Sequence, residues 1–155
     1  MNFFLLFLLP AYCIKLTIIK KGLFDLPHGI QIIKEHDMVL LETKKERVVV
    51  DLVPITLNKY DILKLILGKN IQAKIRVRKI PENILQKDIY CFLCNSIGKD
   101  ITNEKIDSWI LKLFLYKIKN WYEFKQNNYT MNIYKRNCKH YRFFVEENYK
   151  FYFSK

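Results

Sequence analysis

Glycine and proline are scarce in this chain, four of each in 155 residues, which leaves little room for a long flexible linker. Arginine is scarce too. The basic residues are 22 Lys and five Arg, so bidentate guanidinium readout is thinly supplied and a sequence-specific nucleic-acid reader is not supported. Hydrophobic runs are short: the longest, Phe3 to Leu9, cannot span a bilayer unaided. The most apolar helical stretch is interrupted by Lys112, Lys117 and Lys119. The chain has no internal repeat, no Gly-rich phosphate loop and no paired-carboxylate motif. It holds only three histidines, His28, His36 and His140.

What is present suits one domain with a sizeable core, since half the residues are apolar. The formal charge of +12 attracts anionic surfaces. Part of it follows from composition, because Lys, Ile, Asn, Tyr and Phe are all favoured by AT-rich coding. At the N-terminus, Phe3 to Leu9 is followed by Pro10-Ala11-Tyr12-Cys13, a small-x-small type of cleavage site. Residues 1–14 are therefore expected to form a signal peptide or weak membrane anchor, and residues 15–155 a single domain. The competing reading is a hydrophobic tail followed by a buried first strand, Lys15 to Ile19. The first reading makes the protein secreted or membrane-associated. Cleavage there leaves Cys91, Cys94 and Cys138, an odd number, of which Cys91 and Cys94 either pair or stay reduced. Asn128-Tyr129-Thr130 is the one glycosylation sequon.

Patterning predicts the order of elements. Gly29 to Lys34 alternates and ends in a tight turn at Glu35-His36. Met38 to Leu41 and Arg47 to Val53 read as strands joined by the polar connection Thr43 to Glu46. Asn58 caps a helix to Leu67, with Gly68 at its exit. Ile71 to Ile80 alternates, with Ala73, Ile75 and Val77 on one face and a basic row, Lys74, Arg76 and Arg78, on an outer face. Pro81 opens a helix over 82–97. Thr102 or Asn103 caps the longest helix, to about Lys125, with an apolar stripe of Ile106, Trp109, Ile110, Leu113, Phe114, Ile118, Trp121 and Tyr122. Tyr129 to Tyr134 reads as a strand, Asn137 to about Asn148 as a helix, and Tyr149 to Phe153 as an aromatic strand or tail. Strands and helices mix without strict alternation, which predicts an α+β fold: a small mixed or antiparallel sheet packed by helices.

The stretch Tyr134-Lys-Arg-Asn137-Cys138-Lys-His140-Tyr141 sets a cysteine at the start of a helix. A thiol there meets the unpaired N–H groups and positive dipole end of the helix, with Lys135, Arg136, Lys139 and Arg142 around it, all of which favour thiolate. The segment resembles the Asn-Cys-Glu-His-Phe signature of the lecithin retinol acyltransferase-like proteins, the circularly permuted branch of the NlpC-type, papain-like thiol hydrolases. Lys139 stands for the Glu of that signature and Tyr141 for the Phe. The family also has a strand beginning Gly-Asp-Leu-Ile-Glu-Ile, then His-Trp-Ala-Ile-Tyr, then Val-Ile-His-Leu-Ala-Pro. This chain offers Gly29-Ile-Gln-Ile-Ile, His36-Asp-Met-Val-Leu-Leu and Val49-Val-Asp51-Leu-Val-Pro54, with Asp51 where the family has its second His. The matching pieces cover residues 29–54 and 129–145.

The resemblance implies a permuted papain-like domain and nucleophilic catalysis through Cys138, with His36 as base and Asp51 holding the imidazole. The expected activity is a cysteine-dependent hydrolase or acyltransferase acting on an amide, ester or lipid acyl group, without a cofactor. His28 competes for the base role. His140 lies two residues along the helix, about 200° from Cys138, and is expected to serve a structural hydrogen bond. The basic row on Ile71 to Ile80 suggests an anionic membrane surface or lipid as partner.

Each of these residues also has an inert reading: Cys138 as an ordinary buried core thiol, His36 as a surface residue, Asp51 as a loop-facing acid. The alternative function is a catalytically inactive secreted or membrane-associated binding protein, of viral or parasite type, on the same fold. A structural zinc held by Cys91, Cys94, Cys138 and His140 is a further alternative, against core packing for Cys91 and Cys94.

Overall fold

The computed structural model describes residues 14–22, 35–56, 58–95 and 105–153. Among the described residues, five strands form one antiparallel sheet in sequence order: β1 (Lys15–Gly22), β2 (Glu35–Glu42), β3 (Arg47–Pro54), β4 (Ile71–Ile80) and β5 (Thr130–Met131). The sheet curls into a half-barrel with helices packed on it, an α+β fold. The helices are α1 (Lys59–Ile66), α2 (Ile89–Asn95), α3 (Trp109–Lys119), α4 (Tyr122–Gln126) and α5 (Cys138–Phe153).

The three central strands form where β-branched and aliphatic residues alternate on a pleat with both faces covered. One face, with Val39, Leu41, Val48, Val50, Leu52 and Val77, packs under α3 and α5 through Leu111, Phe114, Ile118, Tyr141 and Val145. The opposite face, with Met38, Leu40, Val49 and Ile80, is covered by Ile89 and Leu93 of α2. Ile14, assigned by sequence to the leader, is fully buried in the first of these cores, and its carbonyl accepts a hydrogen bond from the Tyr149 hydroxyl at 2.6 Å. β1 begins directly after it.

Local chemistry sets several boundaries as expected. Asn58 caps α1 by accepting from the Asp61 N–H at 2.9 Å, and Gly68 follows at φ +75°. Other boundaries shift. The helix expected from Pro81 is instead a turn and a short 3₁₀ segment, Gln86–Asp88, before α2. The long helix begins at Trp109, because Ser108 caps it and the buried Glu46 carboxylate, from the β2–β3 hairpin, accepts from the N–H groups of Asp107 and Ser108. It breaks at Asn120, where ψ turns to 57°, and α4 restarts after Trp121. The caps proposed at Thr102 and Asn103, Gly98, and the strand at Gly29 to Lys34 lie outside the described residues.

The aromatic tail is helical rather than extended: α5 runs to Phe153. Tyr149 and Phe153, four residues apart, both meet the Phe114 ring edge-on, at 6.3 and 5.4 Å. That docking decides the conformation over the β preference of aromatic residues. Cys91, expected in the core, is an exposed free thiol on α2. Among the described residues no helix is long and apolar enough to cross a membrane.

Candidate thiol site

The site is assembled from three strands and one helix end. The register that pairs Val39 with Val50 and Glu42 with Arg47 leaves His36 two residues from direct opposition to Asp51, on the same face of the hairpin. Asp51 lies directly across from Arg76 on β4. The geometry follows from that register. His36 Nε2 is 2.7 Å from Asp51 Oδ2, and Arg76 grips the same carboxylate with Nε on Oδ1 at 3.0 Å and Nη2 on Oδ2 at 2.6 Å. Arg78 stands 3.7 Å from Oδ2 and donates to the Leu93 carbonyl of α2 at 3.2 Å. Asp51 is completely buried, so its charge requires these partners.

The turn before α5 delivers the cysteine. Arg136 is buried and donates to the Thr130 carbonyl at 3.2 Å and to Asn70 Oδ1 at 3.3 Å. Asn132 donates to the Gly68 carbonyl at 2.7 Å, accepts from the Tyr134 N–H at 2.9 Å, and exchanges backbone bonds with Arg136. This lattice ties residues 130–136 to the start of β4. Asn137 then caps α5, its Oδ1 accepting from the N–H groups of Lys139 and His140 at 2.9 and 3.2 Å. The Asn137 N–H is met in return by His140 Nδ1 at 3.2 Å. His140 is thus a cap residue facing its own helix end. With those three donors engaged, the Cys138 N–H is, among the described residues, the one at this helix end without a partner.

Cys138 is buried, 7% exposed, with Sγ 3.8 Å from the Glu35 carbonyl at the first residue of β2. The thiol interacts with the adjacent His36 ring. One turn along α5, Arg142 Nη1 is 3.0 Å from Asp37 Oδ2, a second tie between this helix and β2. Further in, the Tyr141 hydroxyl donates to the Ile118 carbonyl at 3.0 Å, which locks α5 against α3. Burial, with the Asp51 charge adding to it, pushes the Tyr141 phenol well above its usual range, so it stays neutral.

The structure therefore brings Cys138, His36 and Asp51 together and leaves His140 apart; His28 lies outside the described residues. Arg76 and Arg78 correct the sequence reading. They form no outward basic row: Arg78 is buried and Arg76 nearly so, and both turn toward Asp51. The signal was the direct opposition of Asp51 and Arg76, which becomes readable only once the register of β3 on β4 is known. For the metal alternative, Cys91 lies exposed on α2 and His140 is engaged at the helix cap. Among the described residues no cluster of three or more His, Cys, Asp or Glu is arranged to hold a metal ion.

Electrostatics follow the geometry. Burial alone would lower the His36 pKa, but hydrogen bonds and charge from Asp51 and Cys138 outweigh it and raise it to about 9. Burial alone would raise the Asp51 pKa, and His36 and Arg76 outweigh that to bring it below the usual carboxylate value. The folded chain thus binds more protons at His36 than the unfolded chain between pH 6.5 and about 9. Its contribution is complete below pH 6.5 and is lost as pH rises through 9, on the order of 3 kcal/mol. Asp51 acts in the opposite sense, losing its contribution as pH falls through its lowered value. Urea midpoints measured from pH 6 to pH 10 should therefore fall with rising pH, and this limb should flatten in His36→Ala.

Comparison of the chain with protein-family models, curated proteins and solved structures finds no match to any of them.

Proposed function

We propose that the protein is a cysteine-dependent hydrolase or acyltransferase of the permuted papain-like kind, acting on an amide, ester or lipid acyl group. The observation that supports this most is the convergence of Cys138, at a helix start, with a His36 imidazole held by a buried, doubly anchored Asp51. Asp51 occupies Nε2, so this reading assigns Nδ1 to the sulfur.

In this reading His36 and Cys138 share one proton as imidazolium and thiolate. The thiolate attacks the acyl carbonyl, and the oxyanion accepts a hydrogen bond from the Cys138 N–H. His36 then gives its proton to the departing amine or alcohol as the C–N or C–O bond breaks, leaving a thioester on Cys138 and a neutral imidazole. Water, or an acceptor amine or hydroxyl, loses a proton to His36 as it attacks the thioester, and the thiolate is released. The route needs no cofactor. The same reading takes the apolar segment at residues 3–9 as a leader or anchor that delivers the chain to a membrane or out of the cell.

Turnover of a short-chain p-nitrophenyl ester tests the proposal. Cys138→Ser should abolish it while Cys91→Ser leaves it unchanged. Equal turnover in all three proteins would assign the activity to ordinary surface nucleophiles. Absence of turnover and of covalent acyl adduct in the wild type would favour the inactive binding protein.

A further inference from the structure

The outer face of α3 carries an exposed apolar stripe; α1 has one too, Tyr60, Leu63 and Leu67, but beside an acidic residue of the same helix, Asp61. Trp109, Leu113 and Tyr116 are exposed by 55, 59 and 72%, although Ile110, Leu111, Phe114, Leu115 and Ile118 on the same helix are buried. At about 100° per residue the three exposed apolar residues fall within roughly 60° of one another, in one stripe. Lys112 and Lys119 lie along one border of that stripe and Lys117 along the other, all three exposed. The helix contains no acidic residue, and none of these lysines forms an ion pair among the described residues.

From this we infer that the α3 face docks on an anionic lipid bilayer. An aromatic and aliphatic stripe bordered by lysines matches the boundary between acyl chains and headgroups: Trp, Leu and Tyr enter the boundary while the lysine stems extend to anionic phosphates. The choice of occupant rests on charge. A second copy of this chain would oppose lysine to lysine and carries the same net +12, so self-association on this face is disfavoured. A nucleic acid would draw on arginine and on bases stacking in a groove, whereas α3 has no arginine and its stripe is convex. The inference stands whether or not Cys138 is catalytic, because it uses none of the site residues. It also replaces the β4 basic row as the basis for membrane attachment.

The test uses the full chain with vesicles of phosphatidylcholine alone and of phosphatidylcholine mixed with phosphatidylserine. Cosedimentation should occur with the mixed vesicles, weaken with salt, and be slight with phosphatidylcholine alone. Trp109 supplies a second readout: its emission should shift to shorter wavelength on binding, while the buried Trp121 keeps its own emission. Lys112→Glu with Lys119→Glu should weaken binding at least ~10-fold, and Leu113→Glu should abolish the Trp109 shift, with thermal midpoints unchanged for the charge variant. Leu63→Glu on α1, also an exposed leucine, should leave binding intact. Overturning results are equal binding to both vesicle types, loss of binding in Leu63→Glu but not in the α3 variants, or capture of single-stranded RNA with no capture of vesicles.

Discussion

Replacing His36 with Ala should lower kcat for ester or amide turnover by about 10²–10⁴-fold while the chain stays folded. The two halves of that expectation have separate causes. The chemistry is lost because, among the described residues, no second imidazole is free to reach the sulfur: His140 is committed to the Asn137 cap. The fold survives because Asp51 keeps both hydrogen bonds from Arg76, with Arg78 nearby. Activity and near-ultraviolet circular dichroism measured on the same sample check this. Turnover that persists within a few-fold of wild type would remove His36 from the mechanism.

Asp51→Ala should do the reverse kind of damage and destabilise the protein by about 3–5 kcal/mol. The carboxylate is fully buried and is shared by His36 and Arg76, with Arg78 close by. Its removal leaves a largely buried guanidinium and an imidazole without their counter-charge. Arg76→Ala should cost less, since His36 and Arg78 still face Asp51. Urea unfolding of both variants checks the order. A loss below about 1 kcal/mol for Asp51→Ala, the range of an exposed ion pair, would mean that the cluster carries little of the fold.

The sheet was legible wherever one residue type dominated a pleat. Val48, Val49 and Val50, the alternation through Ile71 to Ile80, and the Asn58 cap with Gly68 are local signals, and the elements they imply are present. Helix boundaries failed where a distant residue decided them. Glu46 caps the approach to α3 from about sixty positions away, and Phe114 holds Tyr149 and Phe153 in helix. The three candidate residues were named from motif resemblance and helix-start chemistry, and they lie side by side in the fold. Their electrostatic frame was not legible: Arg76 and Arg78 alternate as an outward row would, and only the covering of that face by α2 makes them interior. Alternation along a strand reports which residues share a face, not whether the face is wet.

The central claim is that the sulfur of Cys138 takes up an acyl group. Native protein mixed with a short-chain p-nitrophenyl ester, quenched in acid during turnover and mapped by mass spectrometry, tests it most directly. The account predicts one acyl group on the peptide carrying Cys138, formed at neutral pH, labile to hydroxylamine and absent when His36 is Ala. Acyl groups confined to Cys91 or to lysines, with the Cys138 peptide unmodified, would contradict it.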